Sequence, residues 1–403
     1  MEYAKIIESS VFKTDSRICL IVLDGLGDIR HPDFGNKTPL EAARTPNLDK
    51  LAPGTAMGRL LPVGIGITPG SGPAHLGLFG YEPKEVEIGR GVMEAVGLDV
   101  KLEPGDIAAR ANVCTLADGV INNRRAGRPA TEKTAAVLER LQKEIPAIDD
   151  VKIILEPGVE HRFVAVLRGE GLVGPVTDTD PHHEGSPILE AKPLVPEAQK
   201  TADIANKFWK KACEILKDEP QMNGILLRGL SSKPDLQSFE ERFKLDAAAI
   251  ATYPMYRGLA SLVGMTLEAT GKTTAEEFRT YLDKYDDYDY FFIHVKGTDM
   301  AGEDGNFDMK VSVIEEFDSA LPVLFERMPE VLAITGDHSM PCPMKLHSWH
   351  PVPLLVSSPR CGADLKPRFT EDNCNSGSLG IFESVYLTPL LLANAGKLDK
   401  YGA

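Results

Sequence analysis

The stretch Val331-Leu332-Ala333-Ile334-Thr335-Gly336-Asp337-His338-Ser339 decides how the rest of the chain is read. Four consecutive apolar residues running toward a glycine predict a short strand buried on both faces. Open α/β sheets bind ligands beyond the carboxyl ends of such strands, so Asp337 and His338 fall where an active site would be built. His347-Ser348-Trp349-His350 follows shortly, ahead of a Pro-Val-Pro-Leu-Leu-Val run that predicts another strand. Carboxylate plus imidazole is divalent-metal chemistry, and two such groups would make a two-metal site. Taken alone, a helix-capping aspartate and a core-facing histidine explain the pair as well. What discriminates is recurrence.

Two more apolar strands run straight into aspartates. Ile18-Cys19-Leu20-Ile21-Val22-Leu23 enters Asp24-Gly25-Leu26-Gly27-Asp28, and Tyr290-Phe291-Phe292-Ile293-His294-Val295 enters Lys296-Gly297-Thr298-Asp299. Asp24, Asp299 and the Asp337-His338 pair would thus reach one edge of a parallel sheet. The Gly- and Pro-dense turn from Gly64 to Leu76 holds a single serine, Ser71, just before an apolar helix. Free N–H groups and the dipole at a helix start favour an anion or an alkoxide, and flanking glycines let a phosphate approach closely. A plain capping serine is the competing reading. No Gly-Lys-Ser/Thr follows, so this is not a P-loop.

Composition bounds the class. At 403 residues, with 43% hydrophobic and 26% charged, the chain resembles ordinary globular proteins of two or three domains. A net charge of −15 argues against non-specific nucleic-acid binding but leaves room for a locally positive pocket and a small anionic substrate. Cysteines 19, 114, 213, 342, 361 and 374 form no CxxC pair, the pattern of a reduced cytosolic enzyme. Residues 1–16 carry charges throughout, so no signal peptide is expected, and no run approaches the ~20 apolar residues of a membrane span. The expected location is the cytoplasm.

Thr45-Pro46-Asn47 reads as a helix start with Thr45 as cap. Residues 86–105 read as a turn around Arg90 followed by an acidic strand-like segment. From about residue 106 the texture changes. Strand-like runs at 108–115, 151–155, 163–167 and 225–227 alternate with helical patterns at 131–144 and 197–217. Arg124, Arg125 and Arg128 around Gly127, His161-Arg162, Arg168 and Arg228 concentrate basic groups at expected loop positions. Their forks suit a carboxylate or phosphate, although a solvated basic surface would look the same. The polar loop Thr177–Glu184 is a weaker metal candidate, because Asp-Pro favours a turn. From about 239 the core pattern returns, with a strand at 247–252, helices at 255–263, 274–285 and 308–327, and a last helical pattern at 381–393.

Ten stretches, spread in order over nearly the whole chain, carry a resemblance. They are Val22-Leu23-Asp24-Gly25, Pro69-Gly70-Ser71-Gly72-Pro73-Ala74-His75-Leu76, Ile88-Gly89-Arg90-Gly91, Arg124-Arg125-Ala126-Gly127-Arg128 and Leu167-Arg168-Gly169-Glu170-Gly171-Leu172. To these add Asp178-Thr179-Asp180-Pro181-His182, Tyr253-Pro254-Met255-Tyr256-Arg257-Gly258, Lys296-Gly297-Thr298-Asp299, Thr335-Gly336-Asp337-His338 and His347-Ser348-Trp349-His350-Pro351-Val352-Pro353. The chain resembles the archaeal-type cofactor-independent phosphoglycerate mutases of the alkaline phosphatase superfamily.

That resemblance implies an α/β fold: an alkaline-phosphatase-like core with a mainly parallel sheet flanked by helices, over 1–106 and 236–403. A smaller α/β (α+β) substrate domain over 107–235 would interrupt it. It also implies an isomerase interconverting 3- and 2-phosphoglycerate through a phosphoserine, with Ser71 as nucleophile. One divalent ion would sit on Asp24, Asp337 and His338 and a second on Asp299 and His347. Arg128, Arg162, Arg228, Arg257, His161 and Asp180 would bind substrate. Where many relatives carry a histidine four residues after the ligand aspartate, this chain has Glu303. A carboxylate there favours manganese or magnesium over zinc, with cobalt also open. Another phosphotransferase on the same scaffold, such as a homoserine kinase, is the alternative function. A small phosphoglycerate substrate is expected as partner, with neither nucleic acid nor membrane, and the sequence leaves the oligomeric state open.

Overall fold

The computed structural model describes residues 2–86 and 88–402. The chain folds as two compact units, Met1–Glu87 with Leu236–Ala403, and Ile88–Asp235. The first unit is built on an eight-stranded sheet. In spatial order its strands are Thr266–Leu267, Ala247–Ala251, Tyr290–Val295, Ile18–Leu23, Val331–Thr335, Val352–Ser357, Ala56–Leu61 and Gly380–Glu383. Val352–Ser357 runs antiparallel to both neighbours, and every other pairing is parallel.

The three central strands are buried at every position, which is why each is apolar but for His294 and Thr335 near the ends that face the site. Ile18 pairs with both Tyr290 and Val331, Leu23 with Val295, and Val22 with Thr335. The strands therefore finish level, and the loops bearing Asp24, Asp299 and Asp337-His338 leave from one edge. Behind them the helices Thr274–Lys284 and Phe307–Leu324 pack Phe278, Tyr281, Ile314, Phe317 and Leu321 against Cys19, Ile21 and Ile293 of the sheet.

The second unit holds an antiparallel sheet, ordered Val120–Asn123, Ile107–Ala117, Arg162–Arg168, Val151–Pro157 and Ala147–Ile148, with Gly224–Ser232 also paired to Ile107–Ala117. Helices Thr131–Glu144 and Gln199–Leu216 share a core with it through Leu138, Leu141, Ile204 and Phe208. Among the described residues no helix is long and apolar enough to cross a membrane. All six cysteines are free.

Four local expectations are corrected. Arg90–Gly97 is a helix rather than a turn and strand-like segment, capped by the Gly89 backbone, with Val92 and Ala95 buried three residues apart. (Glu87 of that segment lies outside the described residues.) This helix belongs with the second unit, so the division falls after 87 and not at 106. Its Gly91 lies so close to the Ile107–Ala117 strand that a Cβ would run into the Ala108 carbonyl. Thr45 does not cap the helix Pro46–Leu51, because its hydroxyl donates to Asp49 at 3.2 Å. The remote carboxylate of Asp318 takes the N–H groups of Asn47 and Leu48, at 3.2 and 2.8 Å. Finally, the 381–393 pattern is split: Gly380–Glu383 is an edge strand, and the helix proper is Leu387–Asn394.

Glu277, on the helix Thr274–Lys284, is buried with no side-chain hydrogen bond or ion pair among the described residues, and burial pushes its carboxyl up to about 8. A carboxyl raised above its unfolded value leaves stability intact below the unfolded value. Stability is then lost progressively as pH rises toward the folded one. Glu277→Gln should accordingly melt close to wild type at pH 4.5 and several degrees above it at pH 9. Parallel thermal scans across that range check this.

Candidate metal centre and active site

Each loop at the level strand ends is shaped to present one carboxylate. Gly25 takes a φ of 64°, and a Cβ there would meet the Met340 Cβ at 2.8 Å and the Asp299 Cα at 3.1 Å, so only glycine lets the loops close together. The Gly25 N–H donates to Asp337 Oδ1 at 3.0 Å. The Thr298 hydroxyl donates to the Asp24 carbonyl at 2.5 Å. Ser339 bridges to Leu26, Gly27 and Ser348, which ties the Asp24 loop to both histidine-bearing loops.

A second buried tie lies one layer deeper. The Lys310 ammonium, fully buried on the helix Phe307–Leu324, donates to Asp28 Oδ2 and the Met340 carbonyl, both at 2.9 Å, and to the Gly27 carbonyl at 3.3 Å. Asp28 also accepts the Cys342 N–H. This pair clamps the Asp24 loop onto the Asp337-His338 loop.

The carboxylates divide their oxygens in a consistent way. Asp24 Oδ2 accepts from Tyr256 and, at 2.8 Å, from Lys296. Asp299 Oδ2 also accepts from Lys296, and Asp337 Oδ1 from Gly25. The other three oxygens, Asp24 Oδ1, Asp299 Oδ1 and Asp337 Oδ2, are buried without a hydrogen bond, as is His338 Nε2. They face one another: His338 Nε2 lies 3.2 Å from Asp24 Oδ1, 3.4 Å from Asp337 Oδ2 and 3.7 Å from Asp299 Oδ1. Buried polar atoms left without partners yet pointing at one another suit a cation. His347 stacks on His338 at 3.7 Å between ring centroids, with its Nε2 4.0 Å from Asp299 Oδ1. Its Nδ1 donates to the Pro69 carbonyl at 2.9 Å, which leaves Nε2 free to ligate. Two groups of candidate ligands result: Asp24, Asp337 and His338, and Asp299, His338 and His347.

The electrostatics record the crowding. Burial, then the Asp24 charge, pushes Asp337 up to about 7. Burial works against the Asp24 carboxylate too, but His294, His338 and Lys296 together hold it well below the usual range. Burial opposes a charge on His338, yet Asp337 and Asp24 raise it to about 9.

Ser71 is the first residue of the helix Ser71–Leu78, and Gly70 occupies the cap position. The serine hydroxyl is therefore not spent as a cap. Glu303 ends the short helix Gly297–Glu303, one turn after Asp299, but is exposed and belongs to neither ligand group. Arg257 lies in the first unit and donates to the carbonyls of Glu268 and Ala251, at 3.0 and 3.4 Å.

Within the second unit the basic residues converge. Burial, followed by Arg162, Arg125, Arg128 and Arg228, lowers the buried His161 to about 4. Asp180, also buried, receives a two-point bond from Arg124 at 2.9 and 2.7 Å, with Arg228 Nε 3.7 Å away. Arg124, Arg125 and Arg128 line a cavity of about 570 Å³ with Asn123, His183 and Glu184. Asp178 bonds to the Gly229 N–H and His182, and its loop joins no candidate metal group among the described residues.

Several functional candidates escaped the sequence reading: Lys296, His294, Tyr256 and the Asp28–Lys310 pair. His294 was legible only as an odd imidazole within an apolar strand, and Lys296 as a charge beside a ligand. The others carry no local signal.

Buried carboxylates and imidazoles at the edge of a mainly parallel sheet, beside a serine that begins a helix, define a metal-dependent α/β enzyme. Residues 52–222 match the family described as 2,3-bisphosphoglycerate-independent phosphoglycerate mutase. The chain is 50% identical over 403 residues to a probable enzyme of that name from Thermotoga neapolitana, covering 100% of both chains. A solved cofactor-independent phosphoglycerate mutase from Thermoplasma acidophilum shares 32% identity at a TM-score of 0.75, over 94% of this chain and 100% of that one. A Pyrococcus horikoshii protein superposes at a TM-score of 0.83 with 28% identity, over 97% and 100%. The chain belongs to the 2,3-bisphosphoglycerate-independent phosphoglycerate mutases.

The buried clamp can be tested directly. Lys310→Met leaves Asp28 buried without its cation, at a cost of ~3–5 kcal/mol. The variant should melt well below wild type and bind manganese more weakly, as read by calorimetric titration.

Proposed function

We propose that this chain interconverts 3-phosphoglycerate and 2-phosphoglycerate through a phosphoserine at Ser71, in the cytoplasm, with two divalent cations at the strand edge. The observation that carries the reading is the convergence of unpartnered buried ligand atoms beside a free helix-start serine, in a chain of this family. Asp24, Asp337 and His338 would hold one ion and Asp299 and His347 the other, with Glu303 the remaining candidate for the second. Manganese is the ion of choice, because carboxylate oxygens outnumber imidazoles; magnesium, cobalt and zinc follow. Such ions lower the pKa of a bound hydroxyl and neutralise phosphoryl oxygens.

The chain's own residues account for the rest. Ser71 Oγ attacks phosphorus and the P–O bond to glycerate breaks, so the serine proton is balanced by the alkoxide released. The helix N-terminus at Ser71 favours the dianionic phosphoryl group. Arg128, Arg162 and Arg228, with His161 and Asp180, are assigned to the glycerate carboxylate and hydroxyls, a task for planar forks. Arg257 is assigned to substrate through Nη2 and Nε, since both of its carbonyl bonds are made by Nη1. The reverse transfer to the neighbouring hydroxyl restores Ser71, provided water stays out.

Ser71→Ala should fold normally, since Gly70 is the cap, and should lose mutase activity measured by coupling to enolase with manganese. Substantial residual turnover would end the phosphoserine reading. Glu303→Ala should weaken one of two calorimetric manganese sites. Two sites of wild-type affinity would remove Glu303 from the ligand set.

A further inference from the structure

Tyr256 lies on the helix Pro254–Leu262 of the first unit and is fully buried. Its ring stacks on His294 at 3.6 Å between centroids with 23° between planes, and tilts against His75 at 4.8 Å. This wedge fixes where the phenol oxygen points. The hydroxyl donates a hydrogen bond to Asp24 Oδ2.

A phenol has one proton to donate, and Asp24 takes it. One consequence follows. With Oδ2 occupied by Tyr256 and Lys296, Asp24 is left with Oδ1 as the atom facing His338 Nε2.

We propose that Tyr256 is a positioning residue of the phosphoryl transfer, orienting Asp24 so that Oδ1 faces the cation. This rests on the reading of Ser71 as nucleophile and Asp24 as ligand. Partners lying one shell out from a metal typically change affinity or activity by about 10–100-fold when lost. The aromatic ring supplies packing that Phe retains, so hydroxyl and ring are separable.

The test is Tyr256→Phe against a control, Tyr281→Phe. Tyr281 is another fully buried tyrosine, whose hydroxyl bonds to the Arg327 carbonyl at 2.8 Å. Tyr256→Phe should lower kcat by about 10–100-fold with KM within about twofold, and weaken one manganese site about tenfold by calorimetry. Tyr281→Phe should lower Tm alone. If Tyr256→Phe behaves like the control, with kcat and manganese affinity near wild type, the proposal is overturned. Should the wild-type chain lack mutase activity, the functional reading fails by itself. The calorimetric arm then decides, with unchanged affinity in Tyr256→Phe counting against the orientation of Asp24 and weakened affinity for it. If Tyr256→Phe does not fold, 3,5-difluorotyrosine placed at 256 keeps the shape and alters donor strength. A kcat change of about threefold at constant KM supports the proposal, and no change overturns it.

Discussion

Three aspartates are held in one buried space, and the rest of the first unit answers to that repulsion. Two carboxylates about 4 Å apart repel by about 4 kcal/mol at a typical effective protein dielectric. Lys296, His294 and His338 offset part of this, yet one oxygen of each aspartate is left facing the others. A fold tolerates such an arrangement when something positive is to be bound there. The division of labour within each carboxylate is the telling detail. One oxygen is fixed by the protein, and its twin is left to ligate.

Holding like charges together needs a frame that cannot relax, and the sheet supplies one. The central strands end level, so the three loops start from fixed points. Cross-links then remove the freedom that remains: Gly25 to Asp337, Thr298 to the Asp24 carbonyl, Ser339 to two loops, and Lys310 to Asp28 beneath them. Each is a hydrogen bond of modest net value. Together they leave the carboxylates no outward path.

How much of this the sequence showed depended on the range of the determining contacts. Ile18–Leu23 and Tyr290–Val295 were legible to the residue, because a strand buried on both faces is almost wholly apolar, His294 being the one exception in the two. Asp24, Asp299, Asp337, His338 and His347 were legible as a set, because strand-end aspartates recurred. Lys310 was not: on a helix it looks like any surface lysine, and its partner is 282 residues away. Tyr256 was hidden in the same way, with Asp24 232 residues distant. Thr45 had the right residue type for a cap, but Asp318 from a distant helix took over the task. Arg90–Gly97 was missed because glycines at both ends of a short amphipathic segment look like a turn.

The order of the strands also governs how the molecule is made. Ile18–Leu23 is synthesised early, but its two neighbours are Tyr290–Val295 and Val331–Thr335. At the ~5–20 residues per second of translation, this apolar strand waits on the order of tens of seconds for both partners. The second unit, by contrast, is one continuous segment, Ile88–Asp235, whose pairings are all in hand once it has emerged from the ribosome. The nascent chain thus holds a complete second unit while an apolar strand is still unpaired, the condition in which aggregation competes with folding.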